Sequence, residues 1–274
     1  MKSPRSPFPI SRRGFLGAIC TGLACALVPR AWARPVPKRD PALIAAITKA
    51  ARLNMATQRL TKARLMVGMA ILPERAQGIF EQSLVAFEGQ LAELNRYAPS
   101  PEVRQALARL WEDWLAFKTP LDGLPSREGA QRLFAANEKL LALTQALMLA
   151  YEHLSFSPPS RLVNLASRQG LLSQRMATLH LFRLSGVEPA LCQAELARAR
   201  REFSAAHDIL RSASRMSPTI LAELDLAGQQ WMFFQLALDA QGDREGAAAD
   251  LAVSSEYILA QMETIVALYE KFMA

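Results

Sequence analysis

Residues 163–176 read VNLASRQGLLSQRM, and residues 47–60 read ITKAARLNMATQRL. Aligned without a gap, the two stretches share Ala50/Ala166, Arg52/Arg168, Gln58/Gln174 and Arg59/Arg175. Ile47/Val163, Met55/Leu171, Thr57/Ser173 and Leu60/Met176 are exchanges of like for like. An offset of 116 residues is the mark of a duplicated unit. The duplication extends beyond the stretch. Trp114 and Phe117 recur as Trp231 and Phe234, Glu138 as Glu256, and Tyr151-Glu152 as Tyr269-Glu270. The offset drifts from 116 to 118, as two one-residue loop insertions would produce.

Outward from the motif the pattern is helical. Leu43, Ile44, Ile47, Ala51 and Met55 fall on one face at helical spacing, as do Leu107, Leu110, Trp111 and Trp114, and then Leu140, Thr144, Leu147 and Tyr151. Asp40-Pro41, Ser100-Pro101 and Ser217-Pro218 read as helix starts, a capping residue followed by a proline that needs no N–H there. No alternating β-branched stretch is bounded by turns, so strands are not expected. Breaks fall at Leu72-Pro73, Ala98-Pro99, residues 118–126, 155–160 and 186–189, Ser217-Pro218 and residues 241–243. The expectation is all-α: eight helices, as two tandem up-down four-helix bundles after a cleaved export signal. The boundary is placed at Ser157-Pro158-Pro159, giving bundles at 34–157 and 158–274, the alternative being one fused array with a shared core.

Residues 1–33 hold five basic residues and no acid. Ser11-Arg12-Arg13-Gly14-Phe15-Leu16 reads as a twin-arginine signal, followed by an apolar run to Val28 and an Ala31-Trp32-Ala33 cleavage site. The expected location is the periplasm. Cleavage would lower the formal net charge from +7 to +2 by removing those five basic residues, and a nucleic-acid partner is not expected. Cys20 and Cys25 would leave with the signal, so Cys192 has no partner for a disulfide. No second apolar run is expected to be long enough to cross a membrane, so no membrane span is expected after signal cleavage. His153, His180 and His207 do not pair at ligand or triad spacing, and no nucleophile elbow or phosphate loop is present. The chain is therefore not expected to be an enzyme or to hold a metal or cofactor.

Residues seven apart on a helix lie nearly one above the other, so Arg52 and Arg59 share a face, as do Arg168 and Arg175. An arginine among apolar neighbours needs a counter-charge or an anion. Two readings follow. In one, the arginines pair with carboxylates on the fourth helix of the repeat: Glu138 or Glu152, and Glu256 or Glu270. In the other, they line a site for a small anion or small polar molecule, together with Asn54, Thr57 and Gln58 or with Ser173 and Gln174.

The second copy, with Asn164-x-Ala166-Ser-Arg168-Gln and Leu171-Leu-Ser-Gln-Arg-Met176, resembles the signature of the PilJ-type domain, the N-terminal sensory domain of type IV pili chemotaxis transducers. That domain is related to the periplasmic domain of NarX-type nitrate/nitrite sensors. The resemblance covers both repeats, about residues 41–274, and the first copy is degenerate. It implies a four-helix sensor bundle, here in tandem, and a ligand site at an axis that the two repeats could form as a pseudo-dimer. The nitrate-binding arginine of the related sensors precedes the motif's Met. Asn54 and Gly170 stand there in this chain, so nitrate itself is not implied. No kinase or methylation segment follows the second repeat, which leads to the expectation of a sensory or adaptor protein that works through a protein partner.

Overall fold

A computed structural model describes residues 40–122, 126–154, 158–240 and 244–273. The signal peptide and cleavage site, and the repeat boundary at Ser157, lie outside the described residues. The structure is all-α. The helices are α1 (Pro41–Gly68), α2 (Pro73–Arg96), α3 (Pro101–Asp122), α4 (Arg127–Glu152), α5 (Pro158–Leu184), α6 (Pro189–Ala213), α7 (Pro218–Asp239) and α8 (Arg244–Met273).

Local chemistry sets several of these ends. Asp40 caps α1 by accepting from Ala42 N at 2.9 Å, and it also accepts from the Tyr97 hydroxyl at 2.8 Å, which ties the start of α1 to the end of α2. Ser100 and Ser126 accept from the backbone N–H three residues on, at 3.2 and 3.0 Å. Ser217 makes no such bond, so the proline after it carries that helix start. The α1–α2 and α5–α6 turns are the same device twice. Leu72 and Glu188 both adopt left-handed backbone (φ 45° and 40°) immediately before Pro73 and Pro189, and Ala70 (φ 56°) occupies the place of Gly186 (φ 74°).

The helices form two four-helix bundles, α1–α4 and α5–α8. Within each, the first helix packs on the second and fourth, and the third on the fourth. The repeats meet mainly along α1 and α5. These two helices run in the same direction at matching register: Ala51 and Met55 share a cleft with Ser167 and Gly170, and Thr178 and Arg175 reach Gln58. One continuous core runs through both bundles. Each bundle contains an aromatic stack: Phe87 on Trp114 at 4.1 Å with Phe117 beyond, and Phe203 on Trp231 at 4.1 Å with Phe234 beyond. Trp111, placed by periodicity on the buried face, is 45% exposed.

The expectation that no second apolar run is long enough to cross a membrane is corrected by α8, where Gly246–Phe272 is long and apolar enough to do so by length and composition. In this fold its apolar residues Leu251, Ile258, Met262 and Ile265 are buried in the core. The outer face of α7 exposes Leu226, Phe233 and Leu236, where the matching face of α3 exposes Arg109, Ala116 and Thr119.

Candidate functional site

The motif lies where the two repeats meet. The facing surfaces of α1 and α5 carry a long polar seam through an apolar core, because Asn54, Thr57, Gln58, Thr61 and Lys62 on one helix and Ser173, Gln174, Arg175 and Thr178 on the other are all buried. Buried polar groups of this kind are stable only when partnered.

The Gln-Arg dipeptide does the partnering, and in both repeats it does so in two directions. Adjacent helical residues point about 100° apart. Gln58 reaches the fourth helix of its own repeat, donating to Asn137 Oδ1 at 2.8 Å, and Arg59 reaches the fourth helix of the other repeat. Arg59 Nε donates to Glu256 Oε2 at 2.9 Å and Nη2 donates to the same oxygen at 2.6 Å. The second copy repeats the arrangement. Gln174 donates to the Ser255 carbonyl at 2.9 Å within its own repeat, and Arg175 holds Glu138 of the first repeat with both terminal nitrogens. The fourth-helix glutamates expected from the sequence are therefore the right residue types in exchanged places. Each arginine pairs with the carboxylate of the sister repeat, because α1 and α5 lie side by side and each faces both α4 and α8.

Around Glu256 the clasp is reinforced. Lys62, fully buried, donates to Glu256 Oε1 and to Ser255 Oγ, both at 2.7 Å, and Arg59 Nη1 donates to Ser83 at 3.1 Å. Burial pushes the Lys62 amine down to about 8, against the pull of Glu256. Burial alone would raise the Glu256 carboxyl, but Lys62 and Arg59 override it and bring it to about 2. Lys62 was not singled out in the sequence. Its signal was a lysine one turn after Arg59, set among Leu60, Ala63 and Met66.

The other candidate residues divide. Asn54 is buried, accepts from Thr144 at 3.4 Å and has an unpartnered Nδ2 among the described residues. Gly170 sits so close to α8 that a Cβ would lie 3.1 Å from Leu259 Cδ1. Neither position leaves space for a long cationic side chain. Ser173 donates to the Gly170 and Ser255 carbonyls, at 2.8 and 3.3 Å. Arg168 Nε donates to Glu202 at 2.5 Å, while Arg52 makes no ion pair among the described residues, since Ala86 stands at the place of Glu202. Glu270 accepts from Thr48 at 2.5 Å, and burial raises the Glu152 carboxyl. Neither pairs with a motif arginine among the described residues. The structure thus joins Gln58, Arg59, Gln174 and Arg175 in one network and places Arg52 and Arg168 on its flanks.

One groove borders this network. It has a volume of about 190 Å³ and lies between α4, α5 and α6, with Arg175 and Glu138 in its lining. A hollow of about 260 Å³ between the end of α1 and the start of α4 is remote from the motif. His180 and His207 are buried and hard to protonate, His180 being pushed down to about 4. Burial raises the Cys192 thiol to about 11, so this thiol is not poised as a nucleophile. Among the described residues, no group of three or more His, Cys, Asp or Glu side chains could hold a metal ion.

Comparison of the chain with protein-family models, with curated proteins and with solved structures found no match.

Proposed function

We propose that this chain is an exported, non-enzymatic sensory or adaptor module, similar to a PilJ-type sensor dimer folded from a single chain, that acts in the periplasm through a protein partner. The observation that carries this reading is the reciprocal exchange of carboxylates, Arg59 to Glu256 and Arg175 to Glu138. In a symmetric dimer of identical bundles, a residue on one subunit meets its counterpart's partner on the other, and the reverse. Here the two tandem repeats make that isologous pattern within one chain. On this reading Arg59 and Arg175 hold the two bundles in register rather than receive an oxyanion, because their guanidinium groups are already engaged.

Double-mutant cycles on Arg59/Glu256 and Arg175/Glu138, read by urea unfolding, test this reading. Coupling of about 1–3 kcal/mol at each pair is expected. A thermal-shift panel of nitrate, nitrite and other oxyanions should be flat. Negligible coupling, or oxyanion stabilisation lost with Arg59→Ala or Arg175→Ala, would return the arginines to a ligand-binding role and sink the clasp.

A further inference from the structure

The groove beside Arg175 is lined by residues that differ from those at the matching places beside Arg59, although the helices around both arginines are repeats of one another. The α6 wall of the groove carries Glu195, Arg198 and Glu202, and the matching places on α2 are Ile79, Gln82 and Ala86. In the first repeat Ile79 is buried and Ser83 accepts a hydrogen bond from the arginine at 3.1 Å. The first clasp therefore forms without an ionic flank, and its carboxylate is the better enclosed, Glu256 being 13% exposed against 37% for Glu138. An ionic flank is not a requirement of the clasp, so the charges on α6 call for another explanation.

Those charges are balanced. Arg168, Arg175 and Arg198 face Glu138, Glu195 and Glu202 across a small volume. Two of the pairs leave capacity unused. The Arg168–Glu202 bond engages only Nε of the guanidinium, and the Arg198–Glu195 contact joins one Nη2 to one carboxylate oxygen at 3.0 Å. A simple anion entering the groove meets three carboxylates, and a simple cation meets three guanidinium groups. A compact molecule carrying one charge of each sign meets a complement for both. The lining is apolar where Leu171, Leu172 and Ala199 contribute, which suits a short aliphatic portion. A space of about 190 Å³ limits the occupant to a small molecule.

We propose that this groove binds a free α-amino acid in its zwitterionic form, with the carboxylate taken by the Arg168 and Arg198 guanidinium groups and the ammonium by Glu195 and Glu202. The assignment rests on the reading of the chain as a binding or sensory module, and it names the ligand class of that module.

Isothermal titration of the full chain with L-alanine, L-serine and L-glutamine tests it, with propionate and ethylamine as controls that each carry a single charge. Saturable binding of at least one amino acid is expected, with none of either control. Glu195→Gln and Arg198→Gln lie on the rim, outside the clasp. Each should weaken the binding about tenfold or more, as expected for loss of a charged hydrogen bond, with an unchanged urea midpoint. No saturable binding by any of the three amino acids would overturn the proposal, as would propionate binding as well as L-alanine, or undiminished binding by both variants. If the titrations fail while Arg175 and Glu138 remain coupled, the ligand assignment falls and the clasp stands. If the coupling is absent, the clasp falls whatever the titrations give.

Discussion

In the first repeat the carboxylate of the clasp is enclosed: Arg59 and the fully buried Lys62 both hold Glu256, whose side chain is 13% exposed, and Ser83 accepts from the guanidinium. In the second, Arg175 holds a Glu138 side chain that is 37% exposed, and Thr178 replaces Lys62. One duplicated dipeptide thus sits in two environments, one a triad of net positive charge around an enclosed carboxylate and the other a neutral pair in the lining of a groove. A duplication preserves the geometry that holds the fold and leaves its surroundings free to diverge. Where the surroundings close, a buried cation can be tolerated because two hydrogen bonds and a carboxylate compensate it. Where they stay open, the side chains around the pair face solutes.

The largest break in this comparison should come from removing the carboxylates. Glu256→Ala strands Lys62 without a counter-charge and should cost about 3–5 kcal/mol. Glu138→Ala leaves one cation, Arg175, with no fully buried lysine beside it, and should cost about 1–3 kcal/mol. Urea unfolding of the two variants side by side checks the order, and equal costs would remove the distinction between the two clasps.

Next comes acid. The Glu256 carboxyl titrates at about 2 when folded, against 4.5 as its ordinary value. A depressed carboxyl adds stability that is complete above the unfolded value and is lost as pH falls through the folded one. Stability should therefore decline between pH 4.5 and about 2 by an order of about 3 kcal/mol from this group. Glu256→Gln should remove that part of the slope. Lys62 sharpens the same point at the other end. Its amine titrates at about 8, against 10.5. The folded state therefore holds fewer protons than the unfolded one between those values, and the wild type should gain stability over Lys62→Met as pH rises from about 8 to 10.5.

Smaller effects concern the turns. Ala70 has the left-handed backbone that Gly186 adopts in the other repeat. Ala70→Gly should stabilise by up to about 1 kcal/mol, and Gly186→Ala should destabilise by a similar amount, because a Cβ is strained at positive φ. Paired thermal melts would show opposite signs, and the same sign for both would break the equivalence of the two turns. Smallest of all, Ala86→Glu would give Arg52 the partner that Glu202 gives Arg168. As a surface pair it should add about 0.2–1 kcal/mol, measurable as a small shift in urea midpoint.

Much of this molecule was legible in the chain. The helices and their breaks followed from apolar spacing and from prolines after capping residues, and these signals act over a few residues. The fourth-helix glutamates were legible because both ends of each pair were duplicated. The buried Lys62 was not, since a lysine on a helix ordinarily reads as solvent-facing and only the approach of α8 encloses it. Trp111 misled for the opposite reason: it adjoins the buried stripe of α3 but points just outside it. The groove was invisible because it is bounded by helices from both repeats, and no single stretch contains it.

The sequence alone determined eight helices in two repeats and two Gln-Arg dipeptides, together with the acidic residues available to them, because helical periodicity, caps and duplication are written in consecutive residues. Only the tertiary structure decided which glutamate each arginine takes. Pairing within a repeat and exchange between repeats use the same residues. The choice depends on α1 and α5 lying parallel and in register, a relation between segments 116 residues apart that no local pattern encodes.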